Sequence, residues 1–299
     1  MSLAARILRR LRSTVASVFR SPEEGAFRPG HPHSPVPSRT DVERTLAKRA
    51  SLGPPTLGDI DLRRDAQQHL LTELAHYSLD QPFGDAPGNG LRYHFSQGWF
   101  GHSDAILLQA FLRHFRPQRI VEIGSGFSSA VMLDTRERFP DCAFTITLIE
   151  PDPARLLALL KPGDLARITL LNDPAQEVGD SIFTSLGPGD LLFMDSSHVL
   201  KCGSDLHRVL FEIMPALPVG IHVHFHDVFF PFEYPAEWLR DGRYWNECYF
   251  LRAFLSGNQH WRITLFNHYV NAEFPEFMEQ AFPLCRKNFG GSLYLTRIS

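Results

Sequence analysis

The stretch that decides the fold reads R-I-V-E-I-G-S-G-F-S-S-A and occupies residues 119–130. Its apolar start predicts a short buried strand. The glycines of the G-S-G turn at residues 124–126 lack β-carbons, so backbone can approach a ligand closely there. Residues 127–133 can then begin a helix whose free N–H groups and positive dipole end face the same place. We therefore expect a nucleotide-like ligand on a strand–turn–helix unit.

Glu122 is the acidic residue inside this apolar run. A buried carboxylate is costly unless something pairs with it. Glu122 therefore predicts either a ligand contact or a buried polar network. A purely structural pairing with a helix N-terminus or an arginine is the alternative to a role in binding.

Composition and charge are those of an ordinary globular protein. The chain has 299 residues and is 43% hydrophobic, which supports a sizeable core. A formal charge of −3 argues against nucleic acid as the main partner, because phosphate binding requires a concentrated basic face. The 4 cysteines stand far apart without a C-x-x-C pair, so no zinc knuckle or disulfide framework is indicated and a reducing cytoplasm is the expected compartment.

The N-terminal part of the chain differs in composition from the rest. Residues 1–20 place arginines among apolar residues at helical spacing, which predicts a basic tail, with weak membrane-surface contact or an organellar presequence as alternatives. This run is too short and too interrupted to span a bilayer. Residues 21–55 are rich in proline, serine and glycine. We expect residues 1–56 to be a poorly ordered tail and linker, broken by a short helix over residues 41–49.

Helices and strands are expected from residue 57 onward. Residues 57–115 show two helical periodicities, which predict an N-terminal helical cap with Ser103 as the N-cap of its second helix. Residues 116–299 alternate strands with helices, which predicts a parallel sheet covered on both faces. Expected strands lie at residues 120–123, 144–149, 166–171, 191–194, 220–225, 260–268 and 292–298. Expected helices between them include residues 153–160, 174–186, 200–214, 245–255 and 275–282. The fold class is therefore α/β, a Rossmann-like doubly wound, mostly parallel seven-stranded sheet with an antiparallel last strand and an N-terminal helical extension.

Polar side chains follow the expected strands at their carboxyl ends, the edge where such sheets bind ligands. Glu150 comes 24 positions after Gly126, close to the ~20 residues at which doubly wound folds place an acid for ribose hydroxyls. The others are Asp173, Asp195, His226 and Asp227. The turn fits a nicotinamide dinucleotide poorly, because Ser129 occupies the position of the third glycine in G-x-G-x-x-G.

Several motifs occur in order between residue 93 and the C-terminus. They are V-E-I-G-S-G-F-S-S at residues 121–129, Glu150, N-D at residues 172–173 and D-S-S-H at residues 195–198. This order resembles the class I S-adenosylmethionine-dependent methyltransferases. More narrowly, H-F-H-D-V-F-F-P-F-E-Y-P at 224–235 followed by Y-W-N-E-C-Y-F-L-R-A-F-L at 244–255 is similar to a bacterial subgroup, several of whose relatives are O-methyltransferases of sugars and natural products.

The resemblance implies S-adenosylmethionine as cofactor and a small hydroxylated molecule as acceptor. The glycine turn would pass under the methionine moiety, Glu150 would bind the ribose hydroxyls and Asp173 would reach the adenine amino group. The candidate cofactor-binding residues are Glu122, Gly124, Ser125, Gly126, Phe127, Ser128, Ser129, Glu150 and Asp173. Residues 116–299 would form the methyltransferase domain, with a lid insertion at residues 228–245.

Methyl transfer to a hydroxyl requires positioning of the acceptor and a base. His198 and His226 are candidate bases, because imidazole titrates near ~6.5. Alternatively, carboxylates of Asp195 and Asp227 could hold Mg²⁺ and lower the pKa of the acceptor hydroxyl. Some relatives bind such a metal with an acidic pair after strand five, and His226 replaces the first acid here, which argues against a hard-cation site. The candidate catalytic residues are Asp195, His198, His226 and Asp227, and the candidate metal ligands are Asp195, His226 and Asp227.

Two other functions remain open from the sequence. His222, His224 and His226 alternate on one face of a strand, so an H-x-H metal site would suggest a metal-dependent hydrolase or oxygenase. Core histidines are the favoured interpretation for His222 and His224, because no orienting partners can be identified. A catalytically silent cofactor-binding or scaffold protein is the second alternative. Residues 93–102 form an aromatic loop that either closes over a ligand or packs as an entry loop.

Overall fold

The structure is a computed structural model that describes residues 25–51 and 57–299. The basic tail expected at residues 1–20 lies outside the described residues. The described chain divides into a larger unit, residues 57–234 with 245–299, and a smaller unit, residues 25–51 with 235–244. Within the described ranges no helix is long and apolar enough to cross a membrane.

One mixed sheet forms the centre of the larger unit. Its strands are β1 (Arg119–Ile123), β2 (Thr145–Ile149), β3 (Thr169–Leu171), β4 (Leu191–Met194), β5 (His222–Phe225), β6 (Trp261–Phe266) and β7 (Leu293–Arg297). The order across the sheet is β3-β2-β1-β4-β5-β7-β6. The first five strands are parallel, and β7 runs antiparallel to both β5 and β6. The predicted seven-stranded, mostly parallel sheet with an antiparallel last strand is confirmed.

Helices precede the sheet and connect its strands. In chain order they are α1 (Arg39–Ser51), α2 (Arg64–Ser78), α3 (His102–Phe115), α4 (Phe127–Arg138), α5 (Ala154–Leu159), α6 (Ser181–Thr184), α7 (Asp205–Arg208), α8 (Met214–Ala216), α9 (Ala236–Arg240), α10 (Glu247–Leu255), α11 (Asn267–Glu273) and α12 (Pro275–Ala281). A π-helical turn, Val209–Ile213, joins α7 to α8. Short 3-10 helices occupy Asp164–Arg167 and Pro283–Lys287.

The core surrounds the parallel strands and α3. All of β4 and β5 is buried, as is β1 after Arg119. Every residue of α3 from Ser103 to Leu112 is buried. A helix buried all round belongs to the interior and not to an amphipathic surface layer. Polar residues on α3 therefore lie inside the protein, where they need partners.

The smaller unit contains α1 and α9. The helix expected at residues 41–49 is observed as α1. Its start is stabilised by a reciprocal cap, because Asp41 N–H donates to Ser38 Oγ while Ser38 N–H donates to Asp41 Oδ2. Arg240 of α9 pairs with Glu43 of α1 at 3.0 Å on an exposed surface. The residues expected to form a lid, 228–245, are divided between the units at Pro235.

Three local expectations were wrong. Ser103 is not the N-cap of α3, which begins at His102; Ser103 is buried and its Oγ accepts a hydrogen bond from Asn271. The helix expected at residues 174–186 is reduced to α6, because the Arg208 guanidinium donates to the carbonyls of Ala175 and Val178 that a helix would otherwise use. The strand expected to reach residue 268 ends at Phe266, and α11 begins at Asn267.

Candidate functional site

The parallel strands bring their carboxyl ends to one edge of the sheet. The backbone ladder continues beyond the strands there, with Gly124 N–H donating to Ile149 O and Asp195 N–H donating to Ile123 O. The turns after β1, β2 and β4 are thereby fixed beside one another. This is the edge where parallel α/β sheets bind ligands.

Gly124 is required by the contact between two of these turns. It has a φ of 82°, in the left-handed region that favours glycine. A β-carbon at this position would lie 1.7 Å from the carbonyl oxygen of Asp195. The glycine turn after β1 therefore packs directly on the backbone of the loop after β4.

Glu122 joins β1 to the first turn of α4. Its carboxylate is fully buried and accepts hydrogen bonds of 2.5 Å from Ser128 Oγ and 2.5 Å from Ser129 Oγ. Ser129 Oγ in turn accepts from the N–H of Gly126 at 3.1 Å. Burial raises the pKa of Glu122 to about 8, although the two serine hydroxyls oppose the shift. The observed partners form a buried polar network without an arginine.

Glu150 follows β2 and holds the backbone of the glycine turn. Its two carboxylate oxygens accept from the N–H groups of Ser125 and Asp152, each at 2.9 Å. Ser125 Oγ is buried beside this contact and has no hydrogen-bond partner among the described residues. The turn thus presents an unused polar atom where a ligand is expected. Asp173 follows β3 at the same edge and is exposed.

The aromatic loop at residues 93–102 reaches both parts of this edge. The rings of Tyr93 and of Phe127, the first residue of α4 directly after the glycine turn, stand 6.5 Å apart, edge to face. At the other end of the loop, Phe100 packs on His226 with ring centroids 5.0 Å apart. Between them the exposed Trp99 carries the guanidinium of Arg155 at 3.8 Å from its ring centre. The loop therefore packs against both the turn after β1 and the residues after β5.

The four candidate catalytic residues converge after β4 and β5. His198 Nε2 lies 3.5 Å from Asp195 Oδ1 and 3.6 Å from Asp227 Oδ2. His226 Nδ1 lies 3.3 Å from Asp195 Oδ1 and 3.6 Å from Asp227 Oδ1. Both histidines are buried, whereas the carboxylates of Asp195 and Asp227 are 29% and 18% exposed. The carboxylates are thus the parts of this cluster that face outward.

Two further carboxylates complete the cluster, and sequence reasoning missed both. Glu247 at the start of α10 lies 2.8 Å from His198 Nδ1. Asp104 of α3 lies 3.5 Å from His226 Nε2 and also accepts from the N–H of Gly291. Each histidine is therefore placed between carboxylates on both of its ring nitrogens. Glu247 stands in the Y-W-N-E motif, but only the fold shows its partner.

Charge in this cluster shifts several pKa values. Burial lowers the pKa of His198, but hydrogen bonds to Asp195 and Glu247 outweigh it and raise the value to about 10. The pKa of His226 is likewise held well above its usual value, against burial, by Asp227 and Asp195. Burial raises the pKa of Asp195, but both histidines outweigh it and keep the value below its usual range. These contacts favour the protonated form of both histidines and the ionised form of Asp195.

The backbone is strained at two members of the cluster. His198 and Asp227 both have a φ of 57°, which is uncommon for residues other than glycine. Such conformations persist only where surrounding contacts impose them, and they gather at functional sites.

His222 and His224 do not join this cluster. His222 Nδ1 lies 2.9 Å from Thr296 Oγ1, and His224 stacks on Phe193 with ring centroids 3.7 Å apart. Burial lowers the pKa of both imidazoles. Within the described residues, the side chains close enough to share a metal ion are Asp195, His198 and Asp227, whose ligand atoms lie within 4.8 Å of one another. The H-x-H strand gathers no ligand set of its own among these residues.

Comparison with known proteins identifies a methyltransferase. A family model described as a methyltransferase domain matches residues 121–228. An uncharacterized protein of Archaeoglobus fulgidus is 36% identical over 166 residues, which cover 54% of this chain and 73% of that protein. The chain belongs to the class I S-adenosylmethionine-dependent methyltransferases.

Two solved structures have a similar fold. One is the methyltransferase PaMTH1 of Podospora anserina bound to S-adenosylhomocysteine, with 19% identity over 88% of this chain and 97% of that chain and a TM-score of 0.43. The other is the O-methyltransferase TomG of Streptomyces achromogenes, involved in tomaymycin synthesis and bound to S-adenosylmethionine, with 15% identity over 86% and 96% of the two chains and a TM-score of 0.39. A likeness at this level carries no argument about the acceptor.

The cofactor of this class is S-adenosylmethionine, which supplies an electrophilic methyl group when bound. The residues after β1 and β2 fit such a ligand. The free Ser125 hydroxyl, the N-terminus of α4 and the partly exposed carboxylate of Glu150 offer the donors and acceptors that its polar groups need.

Proposed function

We propose that this methyltransferase acts on a hydroxyl group of a small acceptor molecule. The observation that carries the proposal is the meeting of the glycine turn with the carboxylate–histidine cluster, defined as Asp104, Asp195, His198, His226, Asp227 and Glu247. Gly124 touches the carbonyl of Asp195, so a donor on the turn and an acceptor at the cluster would be neighbours. Neighbouring sites make an in-line transfer possible.

The cofactor side is assigned to the residues after β1, β2 and β3. The Ser125 hydroxyl and the backbone of the glycine turn would bind the methionine part, and Glu150 would accept the ribose hydroxyls. Asp173, exposed after β3, would reach the adenine. The turn would be supported from the protein interior by Glu122, Ser128 and Ser129. The Glu122 carboxylate is fully buried and already accepts hydrogen bonds from the two serine hydroxyls.

On the acceptor side we assign proton removal to a carboxylate. The raised pKa values of His198 and His226 favour their protonated forms, so neither histidine is the free base expected of an unperturbed imidazole. Asp227 is partly exposed, and burial holds its pKa above the usual value. The acceptor oxygen would bond to the methyl carbon as the carbon–sulfur bond of the donor breaks and S-adenosylhomocysteine leaves, while the proton of the acceptor hydroxyl passes to Asp227. His198 would donate to the carboxylates and keep them in place.

A divalent cation is a weaker second assignment. Asp195 and Asp227 offer carboxylate oxygens, and His198 Nε2 faces them. His226 stands outside that group, which differs from the ligand set expected from the sequence. A metal would have to displace the proton on His198, and an imidazole ligand suits transition metals better than Mg²⁺.

An acceptor panel with deuterated methyl donor tests the function. The protein is incubated with S-adenosyl-L-[methyl-d3]methionine and matched alcohols, phenols, sugars, amines and thiols, and products are located by mass spectrometry and NMR. We expect label on oxygen. Glu150→Ala should lose binding of S-adenosylhomocysteine in calorimetry, whereas Asp227→Asn should keep binding and lose turnover. Label on nitrogen or sulfur alone would overturn the assignment to hydroxyl acceptors. Binding without transfer to any acceptor would favour the catalytically silent alternative.

A further inference from the structure

We propose that Glu247 is a positioning residue that sets the orientation of the His198 ring and acts on the acceptor site through it. The proposal rests on the function proposed above. Glu247 lies on α10, 49 positions after His198 in the chain. It concerns the direction in which His198 Nε2 points.

The contact between the two side chains is short and buried. Glu247 Oε2 lies 2.8 Å from His198 Nδ1. The side chains are 3% and 7% exposed, so solvent does not compete for the contact. A buried charged hydrogen bond of this kind is much stronger than a surface ion pair. Glu247 therefore fixes the Nδ1 edge of the imidazole ring.

Neighbours of Glu247 hold the same loop. The N–H groups of Asn246 and Glu247 both approach the carbonyl of His198, at 3.2 and 3.3 Å. The Asn246 amide accepts from the N–H of Leu200 at 2.7 Å and donates to its carbonyl at 3.2 Å. The ring of Trp245 packs 4.4 Å from the imidazole. Asn246 and Glu247 thus hold the backbone of this loop at His198, and Trp245 packs against the imidazole ring.

A half-turn of a histidine ring about its Cβ–Cγ bond exchanges Nδ1 with Cδ2 and Nε2 with Cε1, so each nitrogen is replaced by a ring carbon. With Nδ1 donating to Glu247, only Nε2 can face Asp195 and Asp227, which it does at 3.5 and 3.6 Å. Removing a carboxylate that orients a metal-bound histidine typically costs about 10- to 100-fold in metal affinity or activity, and we expect a loss of similar size here. Glu247 thereby keeps His198 Nε2, and not a ring carbon, on the side of Asp195 and Asp227.

A purely structural role is the competing explanation. Glu247 occupies the first turn of α10, where a negative charge stabilises a helix without any part in chemistry. The exposed Glu276 in the first turn of α12 provides a matched control for that effect. Glu276→Gln should leave turnover unchanged.

The test compares Glu247→Gln with Glu247→Ala in the full chain, using the best acceptor from the panel. We expect Glu247→Ala to lower kcat about 10- to 100-fold with affinity for S-adenosylhomocysteine within twofold of wild type. Glu247→Gln should fall less, because its amide oxygen can still accept from Nδ1–H. Added formate should restore part of the lost turnover in Glu247→Ala. A loss that follows only the folded fraction, or wild-type kcat in both variants, would overturn the proposal.

A second readout needs no acceptor and separates this inference from the proposed function. Long-range ¹H–¹⁵N spectra of protein labelled at histidine report which ring nitrogen of His198 carries a bonded proton. We expect a slowly exchanging Nδ1–H signal that Glu247→Ala abolishes and Glu247→Gln retains. If that signal is unaffected by Glu247→Ala, Glu247 does not orient the ring, whether or not methyl transfer is observed.

Discussion

The two halves of the site are built in different ways. The glycine-turn half uses one continuous segment, residues 119–130, with support from Glu150, and its contacts are made largely by backbone. The carboxylate–histidine half takes side chains from four segments separated along the chain: Asp104, residues 195–198, residues 226–227 and Glu247. The first half depends on a glycine, Gly124, at the point where two backbone segments touch. The second half depends on a balance of buried charges.

This difference determines how each half should respond to substitution. Steric changes in the glycine turn should damage the fold, because backbone atoms have no room to move. Charge changes in the carboxylate–histidine cluster should leave the fold largely in place and alter the chemistry. The four substitutions below separate these effects, starting with the largest.

Gly124→Ala should have the largest effect and should damage both halves. The new β-carbon would lie 1.7 Å from the carbonyl oxygen of Asp195, and the residue would keep a φ of 82°. We expect a loss of more than about 4 kcal/mol in the free energy of unfolding, measured with urea. Gly163→Ala is the matched control, since Gly163 has a φ of 90° with open space around it, and it should lose only about 1–2 kcal/mol. Equal losses in Gly124→Ala and Gly163→Ala would show that the contact between Gly124 and the Asp195 carbonyl does not restrict the position of either loop.

Asp227→Asn should separate the halves. Asparagine tolerates the φ of 57° at this position, so the backbone should be kept while the proposed proton acceptor is lost. We expect kcat to fall by about 10²- to 10³-fold with little change in calorimetric affinity for S-adenosylhomocysteine. Asp141→Asn, an exposed carboxylate paired with Arg116, should be neutral. A parallel loss of affinity would mean that the cluster also builds the cofactor site.

Glu150→Ala should have the opposite pattern, with weaker binding and nearly normal turnover at saturating cofactor. The substitution removes the acceptor of two backbone N–H groups and the proposed partner of the ribose. We expect the dissociation constant for S-adenosylhomocysteine to rise at least about tenfold, because hydrogen bonds to charged groups are worth about 1.5–3 kcal/mol. Glu177→Ala, at an exposed carboxylate, should bind normally. Unchanged affinity would exclude Glu150 from the cofactor site.

Glu122→Gln should change how stability depends on pH. The folded pKa is about 8 and the unfolded value is near ~4.3, so between these values the folded protein holds a proton that the unfolded chain has released. Wild-type stability should therefore fall as pH rises, by up to about 1.4 kcal/mol per pH unit from this residue. The difference between the wild-type and Glu122→Gln urea midpoints between pH 5 and pH 8 isolates that contribution. Parallel curves would show that Glu122 is ionised when folded.

The contrast also explains what could be predicted from sequence. The alternation of apolar runs with helical periodicity was enough to predict the sheet and its mixed edge. The cofactor class came from a family resemblance, carried by the glycine turn together with Glu150 and the N-D and D-S-S-H motifs. Asp195, His198, His226 and Asp227 could be proposed because the carboxyl ends of parallel strands meet. Their convergence follows from topology, which a sequence pattern reports well.

Other features depend on contacts between distant parts of the chain. Asp104 lies on α3. Its partners His226 and Gly291 are 122 and 187 positions further along the chain. Nothing local distinguishes it from a surface acid. The raised pKa of His198 likewise depends on Asp195 and the distant Glu247, and the unwinding of residues 174–180 follows from Arg208. Burial and charge pairing of this kind are properties of the folded molecule only.

The contact between Gly124 and the Asp195 carbonyl limits how such a protein can diversify. Since two backbones touch there, a longer or rerouted loop on either side would force the other loop to move. New acceptors would more easily be accommodated by exchanging side chains on the unchanged path of residues 195–198, or by altering residues 228–234, which pack after β5. The distance between a bound methyl donor and different acceptors could then stay the same, because Gly124, which has no side chain, lets the two loops touch.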